Sequence, residues 1–152
     1  MHALALALAL LLPRQGALVP FHSLGGVRLG MTPAQVRAAW GDRHGTCRDC
    51  AETTWYFTYK PFEPKGAAVS FRAGAVDAVW TLWSPPGWHV GTLTLGAAQE
   101  ELTRRYAGAM RVPCIGYSAF ILTRARTTTA FYVHDGRLWG FGISSAGSPA
   151  CR

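Results

Sequence analysis

Two stretches of the chain alternate apolar with polar or small side chains on either side of a tight turn. Residues 68–72 lead into Ala73-Gly74 and continue through residues 75–81; residues 129–134 lead into Asp135-Gly136 and continue through residues 137–142. A period of two marks β-strands, and Asp-Gly is a favoured type I′ pair, so both stretches are predicted as hairpins. Ahead of each lies a dense β-branched and aromatic run, Thr53–Tyr59 and Tyr117–Thr123, predicted as strands. Helical spacing occurs twice, and about 66 residues apart. Val36 and Trp40 stand four apart behind Thr32-Pro33 and before Gly41, which suit an N-cap, a first helical position and a stop. Leu102 and Tyr106 repeat the stripe, with Gly108 after them. Ser84-Pro85-Pro86-Gly87 fits neither a helix nor a central strand and reads as a joint.

The pattern therefore predicts an α+β protein of two tandem repeats. Each is a helical N-terminal segment followed by a three- to four-stranded antiparallel sheet, the first over residues 21–84 and the second over residues 85–152. Alternation also assigns faces. In the first hairpin Val69, Phe71, Val76, Ala78 and Trp80 are expected in the core, with Ser70, Arg72, Asp77, Thr81 and Trp83 opposite. In the second, Phe131, Val133 and Leu138 are expected inside, leaving Tyr132, His134, Arg137, Trp139 and Phe141 on the other side. Aromatic residues interleaved with Arg on a solvated sheet face have the composition of an interaction patch. The candidate binding residues are Trp83, Tyr132, Trp139 and Phe141, with Arg72, Arg137 and Tyr56 at the rim.

Residues 1–20 read as an export leader: Ala3–Leu12 is an apolar run of h-region length, broken by Pro13. Behind a leader, four cysteines point to disulfides, and position pairs Cys47 with Cys50 and Cys114 with Cys151. Zinc ligation and a redox role for Cys47-Arg48-Asp49-Cys50 are the alternatives. The second pair is too widely spaced for a zinc ribbon, and the Cys-x-x-Cys follows a helix where thiol activation needs it to begin one.

The order Leu29-Gly30-Met31-Thr32 with Val36 and Gly41, an aromatic strand, then Val69-x-Phe71-x-x-Gly74-x-Val76, resembles one unit of the β-lactamase inhibitory protein fold. Small lipoproteins of the outer-membrane barrel-assembly machinery share that unit. The resemblance covers residues 24–145, and the tandem arrangement is closer to the two-repeat inhibitory protein. It implies an extracytoplasmic, inhibitor-like or assembly-type binding protein.

Composition narrows the classes further. With 49% apolar and 15% charged residues, the chain is neither disordered nor low-complexity. The net charge of +7 comes from 13 Arg and 2 Lys that are scattered, without a basic run, so nucleic acid is not expected as a partner. No His or Glu spacing suggests a metal site or a catalytic constellation, so neither a cofactor nor an enzymatic activity is expected. The reading is a secreted, non-catalytic module that contacts another extracytoplasmic protein through its sheet face. Its alternatives are an envelope thiol-redox factor or enzyme using Cys47 and Cys50, and a basic envelope protein held by anionic polymer or lipid.

Overall fold

The computed structural model describes residues 16–57 and 66–152. In chain order the elements are β1 (Leu18–Val19), β2 (Ser23–Leu24), α1 (Pro33–Trp40), β3 (Gly45–Cys47), β4 (Thr53–Phe57), β5 (Ala67–Arg72) and β6 (Ala75–Thr81). They continue as β7 (His89–Val90), β8 (Leu93–Thr94), α2 (Gln99–Arg105), β9 (Met110–Pro113), β10 (Ser118–Arg124), β11 (Thr127–His134) and β12 (Arg137–Ser145). Of the strand predicted over Thr53–Tyr59, residues 58 and 59 lie outside the described residues, as do residues 1–15 of the leader. Residues 16–20, assigned to the leader, belong to the fold: Leu18 is buried in the core and Gly25 donates its N–H to the Ala17 carbonyl at 2.8 Å.

One antiparallel sheet of eight strands dominates, in the order β3-β4-β5-β6-β12-β11-β10-β9. This corrects the expected architecture of two repeats, each a helix with its own small sheet. Four strands from each half of the chain run on into a single sheet. The join is the antiparallel pairing of β6 with β12, which matches Phe141 with Thr81, Gly142 with Trp80, Ile143 with Val79 and Ser144 with Ala78. Edge pairing of this kind satisfies backbone groups that two separate sheets would leave open. The helices are short, of eight and seven residues.

The helices and the two small hairpins β1–β2 and β7–β8 cover one face. Thr32 caps α1 through a capping box: its Oγ1 accepts from the Gln35 N–H and Gln35 Oε1 accepts from the Thr32 N–H. Val36 and Trp40 are the buried residues of α1, as its stripe predicts; of the second stripe Leu102 is buried in α2, while Tyr106 falls on the C-cap and is half-buried. Trp40 meets Phe57 and Trp88 edge-on, at ring distances of 5.1 and 6.2 Å. Phe71, Val76, Val79, Phe131, Val133, Leu138, Phe141 and Ile143 meet them from the sheet.

Each hairpin carries a β-bulge at the same place, and the bulges correct the expected faces. Phe71 pairs with Val76 but Ser70 with Ala78, which leaves Asp77 as the extra residue. Val133 pairs with Leu138 but Tyr132 with Gly140, which leaves Trp139 as the extra residue. A bulge exchanges the sides of every residue beyond it. Ala78 and Trp80 therefore move from the expected core side to the second face. Thr81, paired with Ala67 and Phe141, turns toward the helix side. Phe141 is likewise fully buried in the main core, and its place in the binding patch is withdrawn.

The seam between β6 and β12 admits no side chain at two positions. A Cβ at Gly140 would stand 2.1 Å from the Thr81 carbonyl oxygen, and one at Gly142 would stand 2.4 Å from that of Val79 and 2.6 Å from Trp80 Cβ. Gly142→Ala is expected to lower unfolding stability by about 1–3 kcal/mol, because backbone rather than a yielding side chain must shift. Denaturant titration of the variant checks it; an unchanged midpoint would remove the steric role of the seam.

Candidate functional site

The second face is paved mostly with small side chains. Pairings trace one row of residues across it: Tyr56, Ala68, Trp80, Gly142, Ala130 and Ile121. The adjacent row runs Gly140, Tyr132, Ala119 and Val112. Trp80 and Tyr132 are thus the large residues in the middle of a floor of Ala and Gly. A floor so low leaves a hollow, and two features rise around it.

One is the segment after β12. The Cys114–Cys151 disulfide fixes it to the turn between β9 and β10. Tyr117 clamps the same segment, its hydroxyl donating to the Arg152 carbonyl at 2.6 Å and accepting the Arg152 N–H at 2.5 Å. The Arg152 guanidinium then lies over the Trp80 ring, 4.7 Å from its centroid. The other is an aromatic wall. Trp83 and Trp139 meet edge-on at 4.8 Å, and Tyr117 and His134 stand 5.4 and 5.2 Å from Trp139. His134 donates its Nδ1 proton to the Gly116 carbonyl at 2.8 Å, which ties the β9–β10 turn to β11.

Between them lies a groove of about 550 Å³, bordered by Tyr56, Trp80, Trp83, Ile115, Trp139 and Arg152 among others. Trp83 is 67% exposed and Ile115 99%, two of the four large apolar side chains that the described residues leave open. Trp83 and Ser84 both take left-handed backbone conformations, with φ of 70° and 47°. Ser84 N–H donates to the Trp139 carbonyl at 2.8 Å and holds this kink.

The predicted site residues divide accordingly. Tyr56, Trp83 and Trp139 come together at the groove. Tyr132 lies beneath it, 1% exposed, with its ring 6.0 Å from that of Tyr117, so it supports the site and is not a contact residue. Phe141 is on the opposite face. Arg72 is at the far end of the β5–β6 hairpin, paired with Glu52 at 3.2 Å and with Asp77 at 3.4 Å. Arg137 donates to the Gly96 carbonyl at 3.0 Å, at the entrance to α2. Trp80, Leu82, Ile115, Tyr117 and Arg152 border the groove and were not singled out by sequence reasoning. An apolar Ile115 beside Gly116 in a turn is a signal that could have found one of them.

The groove can hold a ligand by apolar contact, by ring stacking and by the charge of Arg152. The Cys47–Cys50 disulfide closes the end of β3 onto the turn before β4, and Cys50 Sγ lies 3.9 Å from the hydroxyl of the groove residue Tyr56. Two disulfides suit an oxidising, extracytoplasmic compartment. Among the described residues no group of three or more His, Cys, Asp or Glu is placed to hold a metal ion. No helix among them is long and apolar enough to cross a membrane.

No protein-family model and no curated protein matches the chain. Solved structures with a similar fold include an extracellular protein containing an SCP domain from Bacillus anthracis, at a TM-score of 0.56 and 10% identity over 77% of this chain. A cysteine-rich secretory protein from Staphylococcus aureus matches at 0.54 and 14% identity over 83% of this chain. The matches span 44% and 48% of those proteins' lengths. At such identities the likeness is one of fold.

Two outcomes follow from the site's supports. Burial pushes the Tyr132 phenol above its ordinary value near 10, against the opposing pull of Arg152. A folded-state value raised above the unfolded one leaves stability intact below pH 10, and stability then falls as pH climbs from there through the folded value. Tyr132→Phe should flatten that alkaline decline in denaturant melts between pH 8 and pH 11. Replacing Cys114 and Cys151 together by Ser opens a loop of 37 residues' separation. It is expected to cost about 4 kcal/mol by chain entropy, measured by thermal or chemical unfolding.

Proposed function

We propose that this protein is a secreted, non-catalytic binding module that holds a partner protein in the groove on the second face of its sheet. The observation that carries the reading is the exposure of Trp83 and Ile115 on the rim of a hollow already lined by rings. Exposed large apolar groups gathered at a concave site are the composition of interface centres, where Trp, Tyr and Arg dominate binding energy. Secretion is supported by the two disulfides, by the apolar leader-like run, and by solved neighbours named as extracellular and secretory. The sequence resemblance to inhibitory and assembly proteins points the same way.

A redox role is less well supported. Cys47 ends a strand and Cys50 lies in an exposed turn, so neither thiol has a helix N-terminus to stabilise its thiolate.

The test is parallel affinity capture from the native envelope with the wild-type protein and Trp83→Ala. A partner held by wild type should be lost or weakened by about 2 kcal/mol or more with the variant, at nearly unchanged melting temperature. Equal capture by both proteins would overturn the groove as the binding site.

A further inference from the structure

Among the described residues Arg152 is the guanidinium that borders the groove, and no described carboxylate side chain faces it. Its two terminal nitrogens each donate to Ser148 Oγ at 3.3 Å, and it covers the Trp80 ring. Every one of these partners is neutral. Its Nε is buried and has no acceptor. Among the described residues no carboxylate side chain comes within 4 Å of it, whereas Arg72 on the same sheet stands between Glu52 and Asp77. A half-buried guanidinium with an unpartnered Nε and no carboxylate side chain against it is costly to keep, and an arriving anion offsets that cost.

We propose that the groove takes an acidic segment of a partner protein, with a Glu or Asp carboxylate set against the Arg152 guanidinium and its apolar neighbours set against Trp83, Trp139 and Ile115. The proposal deepens the binding-module reading and rests on it. Charge complementarity chooses the occupant. The chain carries a net +7, so an acidic segment is drawn in at long range, and the fixed guanidinium then supplies a charge-assisted hydrogen bond at short range. The aromatic walls fit apolar side chains flanking that carboxylate, since a free anion alone would gain nothing from them. The groove volume falls in the range of about 300–1,000 Å³ found for sites that take small ligands.

The probe is a doubly capped peptide, acetyl-Gly-Phe-Glu-Phe-Gly-amide, compared with its Gln counterpart by calorimetry or by tryptophan fluorescence. Capping leaves the Glu side chain as the single charge. The Glu peptide is expected to bind about tenfold tighter than the Gln peptide, the difference that a charge-assisted hydrogen bond supplies. Arg152→Gln should bring the ratio close to one, Arg152→Lys should keep part of it, and Trp83→Ala should weaken both peptides alike. The preference in the wild-type protein needs no variant, so a folding defect in Arg152→Gln leaves the comparison decisive. Equal binding of the two peptides, a preference that survives Arg152→Gln, or no binding of either would overturn the acidic occupant. Equal binding of both that still depends on Trp83 would leave the groove standing as a binding site. Capture that is unaffected by Trp83→Ala would remove the site itself.

Discussion

The close approach of β12 to β6 is the contact on which the remaining structure depends. Strand pairing sets backbones about 5 Å apart, yet at this seam even a methyl group has no room on Gly140 or Gly142. Glycine weakens a strand by entropy and by lack of side-chain packing, so its presence twice in three residues at the centre of a sheet needs a reason. The reason is β6 itself: the Val79 carbonyl and Trp80, which pairs directly opposite, take the space at Gly142, and the Thr81 carbonyl takes it at Gly140. The same contact fuses the strands of the two halves, sets Phe141 and Ile143 into the main core and brings Trp83 beside Trp139. The joint residue Ser84, expected to separate two units, instead extends the seam by donating its N–H to the Trp139 carbonyl.

How far the sequence discloses this fold depends on the range of the interaction concerned. Local chemistry was legible: the Thr32 N-cap, the hairpin tips Ala73-Gly74 and Asp135-Gly136, the buried stripe of α1 and the Cys47–Cys50 bridge all follow from neighbours in sequence. The joining of the halves was not, because nothing in the alternation of β6 or β12 says whether its free edge meets water or another strand. Face assignment failed for a different reason. Alternation carries a side reliably only while the register is unbroken. Asp77 and Trp139 each insert one residue soon after the turn. Trp80 and Phe141 lie just past these insertions and so exchanged faces. Trp139, the inserted residue itself, stayed on the second face with Tyr132.

The candidate site was half legible for the same reason. Tyr56, Trp83 and Trp139 were visible as aromatic residues set against the alternation. The floor was visible in principle as well, since Ala68, Ala78, Ala119, Ala130, Gly140 and Gly142 place the small residues of five strands on one side once the bulges are counted. What was hidden is the contribution of Arg152 and Tyr117, which reach the groove through the Cys114–Cys151 bridge. A disulfide read from sequence says that two segments meet; it does not say that one of them lays a guanidinium over a tryptophan.

Exposure of an aromatic side chain can be a leftover of a surface that polar residues cannot fully cover, and a lone exposed ring needs no explanation. Trp83 is held in a different way. It and Ser84 occupy left-handed conformations that cost non-glycine residues about 1–2 kcal/mol each. The kink persists because the Ser84–Trp139 hydrogen bond and the edge-on contact of the two indoles fix it. An ordinary extended backbone at residue 83 would continue β6 and carry the side chain along the sheet. The strained conformation sets the ring at the rim of the groove that Ile115 also borders, whose floor glycine and alanine keep low. Strain of this kind, concentrated at the edge of a concave aromatic surface, is retained where the position of a side chain matters more than its burial.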